Sequence, residues 1–197
     1  VERYRTWRYE AFQWRDELSV TKKLALALGM ACLTGLLAQV RIPLGFTPVP
    51  ITGQNVGVLA SGVMLGPWFG ALSMLLYIAI GACGVPWFQG GEGGIQYLIH
   101  SPTLGYLFAF VVVAFLIGRL TDKYLSLRGF WGQLWLMSTA MIIILGLGAS
   151  YLALTLRTTL DETMVMGVLP FLIGENGNST PAVVTLTAVD IMRRRER

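Results

Sequence analysis

Long apolar stretches separated by short Gly/Pro-rich connections dominate this chain. Between Leu24 and Gly118 only Arg41 and Glu92 carry a formal charge, and both sit in such connections. The first apolar run, 24–40, predicts a spanning helix. It ends at Arg41-Ile-Pro-Leu-Gly-Phe-Thr-Pro-Val-Pro-Ile-Thr52-Gly-Gln54, whose three prolines cannot continue a helix. Backbone without internal hydrogen bonds is not tolerated facing lipid, so this segment lies at the surface or lines a protein-walled cavity. Two shorter runs follow, 55–65 and 68–84, divided by Gly66-Pro67. Each is short for a full crossing, and together they predict a tight helical pair. A second irregular connection covers 84–102 and is rich in glycine. Runs 103–120 and 131–156 predict the fourth and fifth spans. A sixth is expected over 165–192, broken at 174–181.

Loop charge sets the expected orientation. Arg119, Lys123 and Arg128 outweigh Asp122 in the 119–130 loop, and the tail Arg193-Arg194-Arg195-Glu196-Arg197 is basic. Basic loops face the cytoplasm. Counting back along the helices puts both termini inside, with 41–54, 84–102 and 157–163 outside. The expected fold is an all-α membrane protein of six transmembrane helices, with irregular external loops forming a pocket. Residues 1–23 form an interfacial or cytoplasmic segment, 24–192 the transmembrane domain and 193–197 a basic cytoplasmic tail. The first segment mixes Tyr4, Trp7, Tyr9, Phe12 and Trp14 with six basic and four acidic residues, a mixture suited to lipid headgroups.

Composition agrees with a membrane protein: 54% of residues are hydrophobic, 13% are charged and the mean hydropathy is +0.61. Soluble domains carry about 25% charged residues. The net charge of +4 follows membrane topology, since the basic residues cluster at the ends and in one loop, and it gives no sign of nucleic-acid binding. Cys32 and Cys83 have no metal or disulfide spacing and read as small packing residues. The first twenty residues lack the apolar core of a secretory signal.

Little in the chain supports catalysis. There is no Gly-x-x-x-x-Gly-Lys-Ser/Thr phosphate loop, so ATP hydrolysis is not expected of this chain. His100 is the only histidine, which excludes the two-histidine zinc motif. Ser101, Ser138 and Ser150 have no second basic residue to activate them. No catalytic or metal residue is assigned. The polar connections instead suggest a pocket. Thr52, Gln54 and Asn55 supply neutral donors and acceptors, and Trp87, Phe88 and Tyr106 supply flat apolar walls. Gly90, Gly91, Gly93 and Gly94 let backbone approach a ligand. Glu175, beside Asn176 and Asn178, offers an acceptor-only carboxylate to ligand N–H groups. On the first helix Ala27, Ala31 and Gly35 recur every four residues, a spacing that permits close helix approach. On spacing alone, packing within the bundle is the simpler account of that face.

Four segments together carry a resemblance. Arg41 to Gln54, then Leu65-Gly-Pro-Trp-Phe-Gly-Ala-Leu-Ser73, then Leu76 to Gly91, then Ser101-Pro-Thr-Leu-Gly-Tyr106 resemble the BioY family in order and spacing, over roughly 24–175. BioY proteins are the biotin-specific substrate-binding (S) components of energy-coupling factor (ECF) transporters. The resemblance implies a multi-pass plasma-membrane protein that captures biotin externally. It also implies partners: a transmembrane coupling protein and a pair of ABC-type ATPases that use ATP, with no cofactor in this chain. It implies a docking role for the small-residue face of the first helix, Ala27 and Ala31 and by extension Gly35. It places Thr52, Gln54, the 87–94 stretch and Tyr106 in the pocket. Where the family has Gly-Asp-x-x-Lys, this chain reads Gly174-Glu175-Asn176-Gly177-Asn178, and Leu104 stands where glycine is usual. Biotin's ureido ring is then expected to meet Glu175, Asn178, Gln54 and Thr52, while its carboxylate meets Arg41 or stays in water. Specificity for another small vitamin or precursor is the alternative on the same fold. A membrane-embedded enzyme or a structural bundle protein is the alternative of a different class.

Overall fold

The computed structural model describes residues 14–174, with side chains through Phe171. Its helices are α1 (Val20–Gln39), α2 (Gln54–Ala82), α3 (Ile95–His100), α4 (Leu104–Lys123), α5 (Phe130–Leu156), α6 (Leu160–Gly167) and α7 (Leu169–Gly174). A 3-10 turn, Leu125–Arg128, joins α4 to α5. Two short strands, β1 (Arg41–Ile42) and β2 (Ile51–Thr52), pair antiparallel with Arg41 opposite Thr52. Among the described residues, four helices (α1, α2, α4 and α5) are long and apolar enough to cross a membrane. Their outer faces leave Leu36, Phe108, Ile142 and Leu154 more than 60% exposed. Such surfaces need hydrocarbon around them.

The helix α2 folds back on itself. At Gly66 the backbone leaves helical geometry (φ 76°, ψ −173°), and Pro67 follows. The reversal is sharp enough that the position of a Cβ on Gly70 lies 3.0 Å from the Gly62 Cα, and Gln54 at the start of the first arm reaches Tyr77 in the second. The Gly66-Pro67 break between two apolar runs thus makes a helical hairpin. Gly118 of α4 lies against the turn so closely that a Cβ there would meet the Gly66 and Pro67 backbone. Glycine is needed at 66 because L side chains rarely adopt its positive φ.

The buried core gathers α2, α4 and α5, with Leu59, Met74, Tyr77, Ile117, Met137 and Ile144 almost fully enclosed. One end of the bundle is charged. There Arg15, 8% exposed, forms an ion pair with Asp122 (Nη2 to Oδ1, 2.9 Å) directly over Gly66. Arg128 donates to the carbonyls of Thr121 (2.9 Å) and Asp122 (3.0 Å), capping the end of α4 with a cation. The opposite end holds the two connections between spans.

Some expectations need correction. The 41–54 connection is not wholly irregular: the β1–β2 pair closes it, and Thr47 Oγ1 anchors it by donating to the Met166 carbonyl (2.8 Å). The 84–102 connection contains helix α3, started after Gly94 at φ 93°. Most of the expected sixth span, 165–192, lies outside the described residues. The helix over its first residues starts at Leu160, because Thr159 and Glu162 form a capping box, and it breaks at Val168 ahead of Pro170. α1 likewise begins at Val20, behind an N-cap at Ser19, rather than at Leu24.

Candidate functional site

A cavity enclosing about 40 Å³ lies at the end that carries the two connections and reaches toward mid-depth of the bundle. Its walls come from the β2 connection (Val49, Pro50, Thr52), the start of α2 (Gln54, Asn55), the second connection (Phe88, Gln89, Tyr97), α4 (Thr103, Tyr106, Leu107, Phe110), α5 (Ile144, Leu145) and Phe171. None of these side chains is charged, so the cavity suits a neutral ring system that hydrogen-bonds.

The polar end is a directed chain of hydrogen bonds. Thr52 Oγ1 donates to Gln54 Oε1 (2.9 Å), and Gln54 Nε2 donates to the Tyr77 hydroxyl (2.6 Å). The Tyr77 hydroxyl donates onward to the Trp87 carbonyl (3.4 Å). Gln54 is thereby fixed with its amide oxygen toward Thr52, leaving the second Nε2 hydrogen for a ligand acceptor. Buried polar groups tied this way define one orientation.

Aromatic rings form the rest of the wall. Phe88 is held edge-on to Tyr77 (centroids 5.5 Å, 86°) and stacked on Tyr97 (5.8 Å, 22°). It fits there because Gly81 has no Cβ to collide with its ring. A tight turn follows it: Phe88 N–H donates to Glu92 O (2.9 Å) and Gly91 N–H to Phe88 O (3.1 Å). Gly90 and Gly91 take φ of 84° and 76° in that turn, which explains their glycines. Tyr106 packs on Gly148 of α5 and donates its hydroxyl to the Gly167 carbonyl at the end of α6 (2.9 Å). With Thr47 on the neighbouring Met166 carbonyl, two elements hold the end of α6 beside the cavity.

Of the residues expected at the site, Thr52, Gln54, Asn55, Phe88 and Tyr106 line this cavity. Trp87 does not: its ring packs behind the wall against Gly35 and Tyr77, with Nε1 donating to the Tyr77 carbonyl (3.0 Å). Gly90 and Gly91 shape the Phe88 turn instead of lining the cavity, and the Arg41 guanidinium lies over Gly90 near it. Glu175 and Asn178 lie outside the described residues. Sequence reasoning missed Gln89, Tyr97 and Thr103, and the apolar Ile144 and Leu145. Tyr97 and Gln89, hydrogen-bonded to each other (3.1 Å), were legible only as members of a polar connection. Ile144 and Leu145 lie in an apolar helix and give no sequence signal at all. His100 is a hydrogen-bonded residue away from the cavity, with Nδ1 2.8 Å from the Gln96 carbonyl.

The small-residue face of α1 also needs correction. Ala27 and Ala31 are 0% exposed and Gly35 is buried, all covered by this chain's own elements. The face packs on α2, where a Cβ on Gly57 would collide with Thr34. Internal packing, the reading from spacing alone, is what the bundle uses.

A family model described as the BioY family matches residues 9–195. The chain belongs to the BioY family. Among BioY relatives, a probable biotin transporter BioY from Pyrococcus horikoshii is 33% identical over 83% of this chain and 93% of its own length. Another from Methanothermobacter thermautotrophicus is 40% identical over 66% of this chain and 86% of its own length. A solved structure of the S-component for biotin from an ECF-type ABC transporter superposes with a TM-score of 0.77 at 27% identity, covering 90% of this chain and 92% of that one. Membership agrees with a transport component rather than an enzyme, and with a multi-pass membrane protein.

Proposed function

We propose that this chain is the biotin-capturing component of an ECF-type uptake transporter in the plasma membrane. The observation that carries the reading is the cavity, neutral in its described lining, with an oriented amide at Gln54 and aromatic walls at Phe88, Tyr97 and Tyr106. The Gln54 N–H is suited to the ureido carbonyl of biotin. Glu175 and Asn178 are proposed to accept the two ureido N–H groups, and Arg41, beside the Phe88 turn, to hold the carboxylate at the mouth. The aromatic rings enclose the apolar bicycle and valeryl chain. Unmet buried hydrogen bonds cost ~1–3 kcal/mol each, which lets such a site reject close analogues.

The proposed topology has six crossings, counting both arms of α2, with both termini inside. The Arg15–Asp122–Arg128 end then faces the cytoplasm and the cavity faces outside, in accord with the positive-inside rule. Energy for import comes from a partner coupling protein and ABC ATPase pair, since this chain has no phosphate loop. Docking to that partner through α1 falls on its exposed face, where Ala25 and Gly29 stand four residues apart, and not on the buried Ala27, Ala31 and Gly35.

Titration calorimetry on the detergent-purified chain tests this reading, with desthiobiotin and thiamine as comparison ligands. Saturable binding selective for biotin, near one per chain, is expected, and Glu175→Ala is expected to weaken it about tenfold or more. A folded sample that binds no biotin overturns the reading. Selective thiamine binding favours the same fold serving another vitamin.

A further inference from the structure

Gln39, the last residue of α1, stands outside the cavity yet grips the loop that forms its wall. Its Nε2 lies 3.1 Å from three carbonyl oxygens, those of Gly35, Trp87 and Phe88. One carboxamide nitrogen has two hydrogens, so three acceptors share them. The Trp87 carbonyl also receives the Tyr77 hydroxyl. On the other side of the same residue, the indole lies flat on Gly35, where an added Cβ would come within 3.0 Å of the ring. The Trp87–Phe88 dipeptide is therefore held to α1 by its backbone and its indole together.

Two consequences reach the cavity. Phe88, 1% exposed, is the next residue along, and its ring direction follows from where those two carbonyls are fixed. The Trp87 carbonyl is also the terminus of the hydrogen-bond chain that begins at Thr52. Holding it in place keeps the Tyr77 proton directed outward, so that the Tyr77 oxygen accepts from Gln54. We infer that Gln39 is a positioning residue for the binding site: it sets the Phe88 wall and, through the Trp87 carbonyl, the orientation of Gln54. The inference rests on the biotin reading for its ligand, while its geometry stands on the contacts of Gln39 and Trp87.

The chemistry demands donors at position 39. Glu is nearly isosteric with Gln but presents only acceptors to three carbonyls, whereas Lys presents three donors and no acceptor. The full-length chain is prepared as wild type, Gln39→Glu and Gln39→Lys, and biotin affinity is measured by calorimetry. The same substitutions are made in a chain whose Trp7, Trp14, Trp68, Trp131 and Trp135 are replaced by Phe, so that emission reports Trp87. Gln39→Glu is expected to weaken biotin about tenfold and to red-shift Trp87 emission as the indole leaves α1. Gln39→Lys is expected to keep affinity within about threefold of wild type, with emission unchanged. Wild-type affinity and emission in Gln39→Glu overturn the inference, as does equal damage from both substitutions. Should Gln39→Glu fail to purify folded, Gln39→Ala takes its place with the same expected losses. If the wild type binds no biotin, the ligand reading fails, and the Trp87 emission still decides whether position 39 needs a donor.

Discussion

Removing the hydroxyl of Tyr77 tests the site with the least disturbance. Tyr77→Phe keeps a ring that touches Phe88 and Trp87, both at 5.5 Å between centroids, and it opens no void larger than one oxygen. What it removes is the acceptor of the 2.6 Å bond from Gln54, a residue itself only 6% exposed. The Trp87 carbonyl loses one donor but keeps Gln39. The cost therefore falls on Gln54, whose buried N–H loses its partner at ~1–3 kcal/mol. In the variant the amide can turn that hydrogen into the cavity, where it no longer presents one fixed geometry to a ligand. Each 1.4 kcal/mol is tenfold in affinity, so a loss of about tenfold or more is expected by calorimetry with biotin. A double-mutant cycle with Gln54→Ala isolates the pair, with an expected coupling of about 1 kcal/mol or more. Purely additive losses, or a Tyr77→Phe variant that binds like wild type, would show that Tyr77 does not set the Gln54 orientation.

Three further outcomes follow from particular contacts. Gly66→Ala forces an L side chain into φ 76° beneath the Arg15–Asp122 pair, and thermal unfolding in detergent should show a loss of ~1–3 kcal/mol; an unchanged melt would place the hairpin's restraint elsewhere. Ala25→Trp with Gly29→Trp should abolish biotin uptake in cells carrying the partner subunits while sparing binding, whereas Ala27→Trp with Ala31→Trp should deplete folded protein, because those positions are fully enclosed. The Thr159 backbone N–H donates to Glu162 (2.9 Å), which holds that carboxyl below its ordinary 4.5, so its support of α6 is full above that value and is lost as pH falls through the lowered one. Melting from pH 7 to pH 3 should bring wild type and Glu162→Gln together at the acid end, and a constant gap would refute the assignment.

Four spans were legible because hydrocarbon excludes charge, and the Gly66-Pro67 break was legible because proline cannot continue a helix. The start of α6 was harder to see. Its Thr159–Glu162 capping box lies in a polar stretch that read as loop, and the apolar run beginning near Val165 drew the boundary too late. Of the cavity lining, side chains with distinctive chemistry in the two connections stood out in the sequence, as with Thr52, Gln54 and Phe88. Trp87 was misplaced because an aromatic beside a pocket looks the same from sequence whether it faces the ligand or backs the wall. Only its contact with Gly35 separates the two. The apolar lining from α5 could not be found, since Ile144 and Leu145 differ in no way from residues that face lipid.

Small residues at four-residue spacing say that something approaches a helix closely, but not what. On α1 the approach comes from within: Ala27, Ala31, Thr34, Gly35 and Ala38 are buried, with Gly57 of α2 against Thr34 and the Trp87 ring against Gly35. The same inward face ends at Gln39, which holds the cavity wall. A partner that meets α1 therefore meets the opposite face, where Ala25, Gly29, Leu33 and Leu36 are exposed. One helix then turns its exposed side outward while its buried side backs the wall of the cavity. A shift of α1 would have to move Trp87 or break its contacts, since the Gly35 interface leaves no room for sliding.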